Sequence, residues 1–459
     1  MNLYSLLQQR AETGRPIRLG VIGAGKFASM FLSQARLTPG IQLVGIAELD
    51  VEKAKQVCLK TGWSEEMLLF GNSIAAINNG AHKGKIVLTE DSYQLIQADL
   101  DIILEITGVP EAGACHAWNA LDAGKHVVMV NVEADALLGV AIKEKASRKG
   151  LVYSMAYGDQ PALIAEQIDW ARTAGFEVVC AGKGTRYQTK YHYSTPRTVW
   201  EYYGFSEERV ATGDYNAQMF NSFLDGTKSA IEMCAVANAA NLVPQKCGLQ
   251  FPPVGADDLP DVLKPRSAGG ILGHSGTVEV VASENHDGTP VERDLRWGVY
   301  VVFKAPTEYV KRCFFEYGLH TDSSGEYSAL YRPYHLIGLE LGISVASVAL
   351  RGEATGSPNY LVADVASVAK KDLKTGDVLD GEGGYTVYGR LVQVEESLRA
   401  NYLPMGLTGK AKVLRPVTKD SLLTYDDVEI DNILFSYKLR KILEKKFKNP
   451  DSTIQLQAF

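Results

Sequence analysis

Residues 17–28 have the sequence IRLGVIGAGKFA. The run Ile17–Ile22 predicts a short buried strand, and residues 26–37 predict a helix that Pro39-Gly40 stops. Apolar runs and amphipathic segments go on alternating to about residue 157. Further strands are predicted at 41–47, 86–88, 101–106, 126–130 and 151–154, and helices at 51–61, 111–123 and 135–149. This alternation predicts an α/β fold in which residues 1–157 form a doubly wound Rossmann domain.

The loop between the first strand and helix has the pattern GxGxxA. In this context Gly23 permits a tight turn, Gly25 lets the backbone approach a pyrophosphate, and Ala28 keeps the helix close to the strand. The helix N-terminus would then face the anion with free N–H groups. The stretch therefore predicts a dinucleotide site, and the alternative is a strand–turn–helix without a ligand.

The end of the second predicted strand indicates which dinucleotide is bound. Glu48 follows Ala47 directly, and Asp50 is close behind. A carboxylate here accepts ribose hydroxyl groups and repels a 2′-phosphate, so Glu48 favours NAD(H) over NADP(H). The complete set of predicted cofactor-binding residues is Gly23, Gly25, Lys26, Phe27, Ala28, Glu48, Thr107, Gly108 and Asn131.

The strand–helix rhythm ends after residue 157, which predicts an α+β substrate and oligomerisation domain over residues 158–360. Residues 245–276 predict a long loop, of the kind that is usually functional or mobile. The apolar segment 336–350 predicts a helix that could pack back on the Rossmann domain. Short strands with polar turns predict a small β-rich module over residues 361–440, and residues 441–459 a tail. Within these last segments, the Lys-rich residues 438–448 predict a solvated helix.

Composition excludes some classes of partner. The net charge of −7 argues against nucleic acid, and no stretch approaches the ~20 apolar residues that a membrane helix needs. The N-terminal segment lacks the apolar core of a signal peptide. The six cysteines are dispersed without a CxxC pair, so we expect free thiols in a reducing cytoplasm. We further expect a homo-oligomer, either a dimer or a tetramer.

Candidate substrate chemistry lies in residues 182–192, GKGTRYQTKYH. A phosphorylated carbonyl substrate needs cations for the phosphate and a proton donor for the developing alkoxide. Lys183, flanked by two glycines, is the first choice for the donor, and the alternative is a surface loop lysine. Arg186 and Lys190 are predicted to bind substrate.

A second cluster is YRPYH at residues 331–335. Arg332 could hold a phosphate as a planar fork, with Tyr334 beside it. His335 could shuttle a proton, because imidazole titrates near working pH. The alternative is a helix-capping segment in which His335 packs against aromatic neighbours.

Carboxylates lie at the predicted carboxyl edge of the Rossmann sheet, where ligands bind in open α/β folds. Asp159 could position substrate hydroxyls as part of the catalytic set, or cap the helix that starts near Pro161. Glu133 is predicted to bind substrate. Glu133, Asp159 and Glu232 could meet around Mg²⁺ or Mn²⁺, and whether a metal is needed stays open.

Taken together, these segments resemble the deoxyxylulose-phosphate reductoisomerase-like enzymes of bacteria, which are related to homoserine dehydrogenase. The resemblance runs through RLGVIGAG at 18–25, MVNVEAD at 129–135, AGKG at 181–184, ANA at 237–239, LVP at 242–244 and YRPYHL at 331–336. It implies that Asn238 contacts substrate and that residues 361–440 resemble a SAF domain. The implied activity is conversion of 1-deoxy-D-xylulose 5-phosphate to 2-C-methyl-D-erythritol 4-phosphate with NADPH, a step of isoprenoid biosynthesis.

Two segments depart from the related enzymes. Glu48 and Asp50 stand where NADPH-using relatives carry a neutral and a basic residue, and Asn131-Val132-Glu133 stands where homoserine dehydrogenase has its catalytic lysine motif. The first expectation is therefore a reductase or reductoisomerase of a small phosphorylated sugar. The alternatives are an NAD-dependent dehydrogenase of another sugar phosphate, polyol or sugar acid without rearrangement, and a nucleotide sensor without catalysis.

Overall fold

The structure is a computed structural model that describes residues 2–213 and 215–448. Strands and helices alternate through the first part of the chain. The strands are β1 (Ile17–Ile22), β2 (Ile41–Ala47), β3 (Leu68–Phe70), β4 (Ile86–Thr89), β5 (Ile102–Glu105), β6 (His126–Met129) and β7 (Tyr153–Met155). The helices are α1 (Leu3–Glu12), α2 (Lys26–Ala35), α3 (Val51–Lys60), α4 (Ile74–His82), α5 (Ser92–Gln97), α6 (Pro110–Asp122) and α7 (Val132–Arg148).

The remaining elements mix helices with shorter sheets. The helices are α8 (Gln160–Thr173), α9 (Val199–Tyr203), α10 (Glu207–Thr212), α11 (Ala217–Leu224), α12 (Thr227–Ala240), α13 (Leu259–Val262), α14 (Glu308–Glu316), α15 (Gly342–Arg351), α16 (Val394–Ala400) and α17 (Phe435–Lys448). The strands are β8 (Glu177–Thr185), β9 (Thr277–Ala282), β10 (Val299–Lys304), β11 (Tyr327–Arg332), β12 (Ala363–Ala369), β13 (Val387–Gln393), β14 (Lys412–Val413) and β15 (Val428–Glu429).

The first seven strands form one parallel sheet in the order β3-β4-β2-β1-β5-β6-β7. Strand order reverses between β1 and β5, so the carboxyl ends of these two strands flank the crevice where a doubly wound sheet binds its ligand. The expected Rossmann fold is confirmed. Sequence periodicity did not reveal α4, although Ser73 caps it by accepting from Ala76 N and Ile77 is buried beneath it.

The chain divides into two compact units. The first takes its described residues from Met1–Leu163, Leu336–Pro358 and Leu434–Phe459, and the second from Ile164–His335 and Asn359–Ile433. The first unit is thus the Rossmann sheet with two later helices added to it. The segment expected as a separate module, residues 361–440, contributes most of its length to the second unit.

Helix α15 packs into the core of the first unit through Val345, Ala346 and Val348. It begins later than residue 336, where the sequence predicted its start. Gly338 adopts a left-handed φ of +74°, and a Cβ there would lie 2.8 Å from Met30 Cβ in α2. The close approach to α2 therefore bends the chain before the helix can start.

Helix α17, predicted to be solvated, buries one face against α6 and α7. Leu439 and Leu443 are buried, and the ring of Phe435 lies 5.5 Å from that of Trp118, edge to face. Arg440 is almost fully buried and pairs with Glu444 at 2.9 Å. Lys438, Lys445 and Lys448 are exposed, whereas Lys446 pairs with Glu144 of α7 at 2.5 Å, so only part of the helix surface matches the prediction. Residues 449–459 of the expected tail lie outside the described residues.

The second unit contains a four-stranded sheet in the order β11-β10-β8-β9. Strands β8 and β9 run parallel, and β10 runs antiparallel to both β8 and β11. Helix α12 packs on β8 and β9 on one side and on β12 and β13 on the other. Nearly all of its residues are buried for this reason.

None of the described helices combines the length and hydropathy needed to cross a membrane. The six cysteines are free thiols.

Candidate active site

The glycine loop after β1 leaves room for a ligand at the start of α2. Gly23 has a φ of +105°, and a Cβ there would press on the Ile106 backbone at 3.2 Å. At Gly25, which caps α2, a Cβ would meet no atom within 4 Å. The first N–H groups of a helix have no intrahelical acceptor, so this open N-terminus suits a pyrophosphate.

The other predicted residues of this loop have different roles. Ala28 is fully buried and holds α2 against the sheet, as the fingerprint requires. Phe27 is half-buried, and Lys26 is exposed at the first position of the helix.

Glu48 follows β2 and reaches the glycine loop. Its Oε2 accepts a hydrogen bond from Ala24 N at 2.7 Å and lies 3.6 Å from Lys53 Nζ. The side chain is mostly buried, with 15% exposure. A carboxylate at this rim suits ribose hydroxyl groups, and Lys53 offsets part of its charge.

The turn Thr107–Val109 follows β5 on the opposite side of the crevice. Gly108 has a φ of +69° and open space around its Cα. Asn131 caps α7 by accepting from Ala134 N at 3.0 Å, while its Nδ2 donates to Val109 O at 3.0 Å. Asn131 was predicted to bind cofactor. Both ends of its side-chain amide instead bond to backbone groups of the protein, and these bonds hold the turn in shape.

Glu105 was missed by sequence analysis. It ends β5 with no exposed surface, its Oε1 accepts from the Thr107 hydroxyl at 2.6 Å, and His116 Nδ1 lies 3.2 Å away. The available signal was a carboxylate at the end of an otherwise apolar strand next to the switch point.

Asp159 and Glu133 lie at the starts of helices. Asp159 is buried, and its Oδ1 accepts from Gln160 N at 2.9 Å at the beginning of α8. Glu133 lies half-buried in the first turn of α7.

Lys183 lies inside β8, in the second unit, rather than in a loop after a strand. Its ammonium group forms an ion pair with the carboxylate of Glu232 on α12, and the two side chains are 4% and 2% exposed. A Cβ at Gly182 would overlap the Glu279 carbonyl, and one at Gly184 would overlap that of Leu295. The flanking glycines therefore serve the close packing of β8 against its neighbours.

Lys183 and Arg332 lie in the same row of the sheet. Val299 of β10 pairs with Lys183 of β8 on one side and with Arg332 of β11 on the other. Directly paired residues of antiparallel strands point to the same face. Two predicted site residues thus share one face, roughly 10 Å apart at two strand spacings.

Arg332 and His335 each contact a neighbouring residue at this end of the sheet. The Arg332 guanidinium lies 4.8 Å from the ring of Tyr334, which is half-exposed. His335 Nδ1 lies 2.8 Å from Trp297 O. Because a carbonyl only accepts, Nδ1 carries a proton and donates it to Trp297 O.

Arg186 is paired within the protein. Its Nε lies 2.7 Å from Glu284 Oε1, and Glu284 Oε2 accepts from the Tyr191 hydroxyl at 2.9 Å. Its charge is therefore largely balanced, which disagrees with a primary role in holding phosphate. Lys190 is exposed, with its Nζ 5.5 Å from the Tyr191 ring.

Asn238, predicted to contact substrate, is fully committed to the fold. It is buried in α12, and its Oδ1 accepts from Val362 N at 2.9 Å and Ala363 N at 3.0 Å. Its Nδ2 donates to Ala363 O at 3.3 Å. Asn238 therefore fixes the start of β12, and the sequence could not show this because its partner lies 125 residues away.

A hydrogen-bonded chain that the sequence did not reveal follows β8. Tyr187 Oη lies 2.7 Å from His192 Nε2, and His192 Nδ1 lies 2.8 Å from Asp225 O. The carbonyl fixes the proton on Nδ1, so Tyr187 donates to Nε2. Burial lowers the pKa of His192 and raises that of Tyr187 to about 12.

Among residues 2–213 and 215–448, no group of three or more His, Cys, Asp or Glu side chains is arranged to hold a metal ion.

Two family models match the chain. Residues 19–154 match the NAD-binding domain of homoserine dehydrogenase, and residues 158–341 match the catalytic domain of oxidoreductase DRL. No curated protein matches. A dinucleotide-binding domain followed by an oxidoreductase catalytic domain is the composition of an NAD(P)-dependent oxidoreductase.

Solved structures resemble parts of the chain. Myo-inositol dehydrogenase from Lactobacillus casei, in complex with NAD(H) and myo-inositol, is 16% identical over 40% of this chain and 50% of that one, with a TM-score of 0.27. A 3-ketoreductase from Actinomadura kijaniata, in complex with NADP, is 20% identical over 38% and 50%, with a TM-score of 0.24. Biliverdin reductase from Synechocystis is 22% identical over 38% and 48%, with a TM-score of 0.23. The chain spans half or less of the length of these structures.

Proposed function

We propose that the protein is an NAD(H)-dependent dehydrogenase that interconverts a carbonyl and an alcohol on a small phosphorylated sugar or polyol, without rearranging the carbon skeleton. The observation that carries this proposal is the buried Lys183–Glu232 ion pair within the catalytic domain. A buried charge pair costs desolvation energy and is weak evidence for a purely stabilising role. A lysine held in this way suits acid–base chemistry at a carbonyl.

Lys183 would act on the substrate oxygen. In the direction of reduction its ammonium group polarises the carbonyl and gives a proton to the oxygen, which becomes the alcohol. A nicotinamide, when bound, would supply the hydride for this reduction. Glu232 balances the ammonium charge in the water-poor interior and holds the side chain in one orientation. Oxidation is the reverse reaction with the same residues, and there Lys183 would take the proton of the alcohol.

Arg332 would hold the phosphate of the substrate. Its planar guanidinium can donate two parallel hydrogen bonds to phosphate oxygens. A position in the same row as Lys183, roughly 10 Å away between backbones, lets two long side chains reach opposite ends of a small molecule. His335, three residues beyond Arg332, would exchange a proton with solvent during the reaction.

Glu48 supports NAD(H) as the preferred dinucleotide. Its hydrogen bond to Ala24 N holds a carboxylate at the rim of the glycine loop, where a 2′-phosphate would meet negative charge. Lys53, at 3.6 Å, offsets only part of that charge.

Hydride transfer without rearrangement is preferred over the reductoisomerase activity that the family resemblance implies. The matched families are a dinucleotide-binding domain and an oxidoreductase catalytic domain, and hydride transfer alone accounts for both. A nucleotide sensor has no need for the proton donor that Lys183 provides.

The experiment is to follow oxidation of NADH and of NADPH separately with a panel of carbonyl compounds. The panel contains sugar phosphates, the same sugars without phosphate, and 1-deoxy-D-xylulose 5-phosphate. We expect turnover with NADH and a phosphorylated compound, and much weaker turnover with its unphosphorylated match. A rearranged product would support the reductoisomerase instead. Tight NADH binding without any turnover would support the sensor.

A further inference from the structure

The end of β5 carries a buried carboxylate next to the dinucleotide crevice. Glu105 is the last residue of β5, and Ile106 N donates to Ile22 O of β1 across the point where strand order reverses. Thr107–Val109, here called the crevice turn, comes next. Gly23 of the glycine loop packs directly on the backbone of Ile106. Any movement of Glu105 would therefore displace the crevice turn.

The hydroxyl group of Thr107 is committed to the protein on all sides. It donates to Glu105 Oε1 at 2.6 Å and accepts from Asn131 Nδ2 at 3.3 Å. Val109 N also points to it at 3.4 Å. The hydroxyl thus organises the turn, and the surface offered to a ligand is the backbone at Gly108, which has open space around it.

Glu105 lowers the stability of the fold at this position. Its side chain has no exposed surface, and within the described part of the chain its Oε2 is buried without a hydrogen-bond partner. His116 Nδ1 approaches only the other oxygen, Oε1, at 3.2 Å. Burying an unsatisfied carboxylate oxygen lowers stability. Residues that lower stability in this way are common at functional sites.

We propose that Glu105 is a positioning residue for the bound dinucleotide, which it serves by orienting Thr107 and hence the backbone of Gly108. The proposal rests on the dinucleotide binding that the proposed function requires. It predicts that removing the acceptor at Glu105 lowers the affinity for the dinucleotide without lowering the stability of the fold.

The test is a double-mutant cycle on the full chain with NADH affinity as the readout. Thr107→Val removes the donor, Glu105→Leu removes the acceptor, and Glu105→Gln keeps an acceptor oxygen. Thr61→Val is the matched control, because its buried hydroxyl bonds to carbonyls of its own helix, Val57 O and Cys58 O. NADH fluorescence gives the dissociation constant, and thermal unfolding gives Tm.

Each single variant, Thr107→Val and Glu105→Leu, should raise the dissociation constant for NADH about tenfold, the range of one lost hydrogen bond. The double variant should bind no more weakly than Glu105→Leu, because that variant already removes the acceptor of both the Thr107 hydroxyl and Thr107 N. Glu105→Gln and Thr61→Val should stay within threefold of the parent. The Tm of Glu105→Leu should equal or exceed that of the parent.

Additive losses, or single variants within twofold of the parent, would overturn the positioning role. If Glu105→Leu does not fold, unchanged affinity in the isosteric Thr107→Val decides against it. If the parent protein binds no dinucleotide, the proposed function and this inference are both wrong. A parent that binds NADH with unaffected variants removes only this inference.

Discussion

Lys183 of β8 and Glu232 of α12 form an ion pair in which neither side chain exposes more than 4% of its surface. The second unit contains a comparable pair, Lys264 with Asp322 at 2.7 Å, whose side chains are 6% and 1% exposed. Only the first pair shares a sheet face with Arg332 through Val299. Comparing the two pairs separates the chemical role of a buried lysine from its structural role.

Lys183→Met should lower turnover by roughly 10²–10⁴, the range for loss of a general acid, with NADH affinity unchanged. It should also lower stability by about 3–5 kcal/mol, because Glu232 is left buried without its partner. Adding Glu232→Gln should recover much of the Tm but none of the turnover. Lys264→Met should lose similar stability and keep its turnover per folded molecule. Equal turnover losses in the two lysine variants would contradict the assignment.

Glu48→Ser should shift cofactor preference from NADH toward NADPH. The substitution removes the negative charge that faces a 2′-phosphate and leaves Lys53 in place. Fluorescence titration of both dinucleotides measures the shift. Glu52→Ser is the control, because Glu52 lies nearby in the first turn of α3, where its Oε1 accepts from Gln56 Nε2 at 2.9 Å. NADPH binding by the parent as tight as NADH binding would rule out this role for Glu48.

Arg332→Ala should raise KM for a phosphorylated substrate by one to two orders of magnitude, the effect of losing about 1.5–3 kcal/mol of charged hydrogen bonding. KM for the unphosphorylated compound and the affinity for NADH should barely change. Arg312→Ala is the matched control, because Arg312 lies over the Tyr309 ring at 5.5 Å as Arg332 lies over Tyr334. An equal fall in NADH affinity would show that Arg332 binds the dinucleotide and that its assignment to the substrate phosphate is wrong.

Asp135 should make the protein less stable as pH rises. Burial raises its pKa to about 7, against about 3.9 in an unfolded chain, and the hydrogen bond from Tyr153 only partly opposes this. Between these values the folded state holds more protons than the unfolded state, so the contribution of Asp135 to stability falls from about pH 4 and is lost above about pH 7.

Asp135→Asn should remove this dependence while keeping an acceptor for the Tyr153 hydroxyl. Urea unfolding at pH 5 and pH 8 tests it, since the difference between parent and variant cancels other titrating groups, Glu279 among them. Glu66→Gln, at an exposed position, should leave the profile of the parent unchanged. A parent and an Asp135→Asn variant with parallel pH profiles would show that Asp135 titrates normally.

The sequence by itself determined the Rossmann half of the protein. Strands β1 and β2 begin and end at the predicted residues, and the glycine loop lies between strand and helix as its pattern required. These features depend on local causes: alternation of apolar residues, the backbone freedom of Gly23, and the small side chain of Ala28. Glu48 was also predictable, because its position relative to the loop is fixed by one strand–helix–strand unit.

Tertiary structure alone decided how the catalytic half is assembled. Glu232 lies 49 residues from Lys183, Arg332 reaches the same row only through Val299, and Asn238 turned out to hold β12. Strand register and the choice of a buried charge's partner depend on which distant surfaces become buried together, and no local periodicity records this. The same reason hid Glu105: its importance comes from burial beside the crevice turn, which exists only once β1 and β5 are paired.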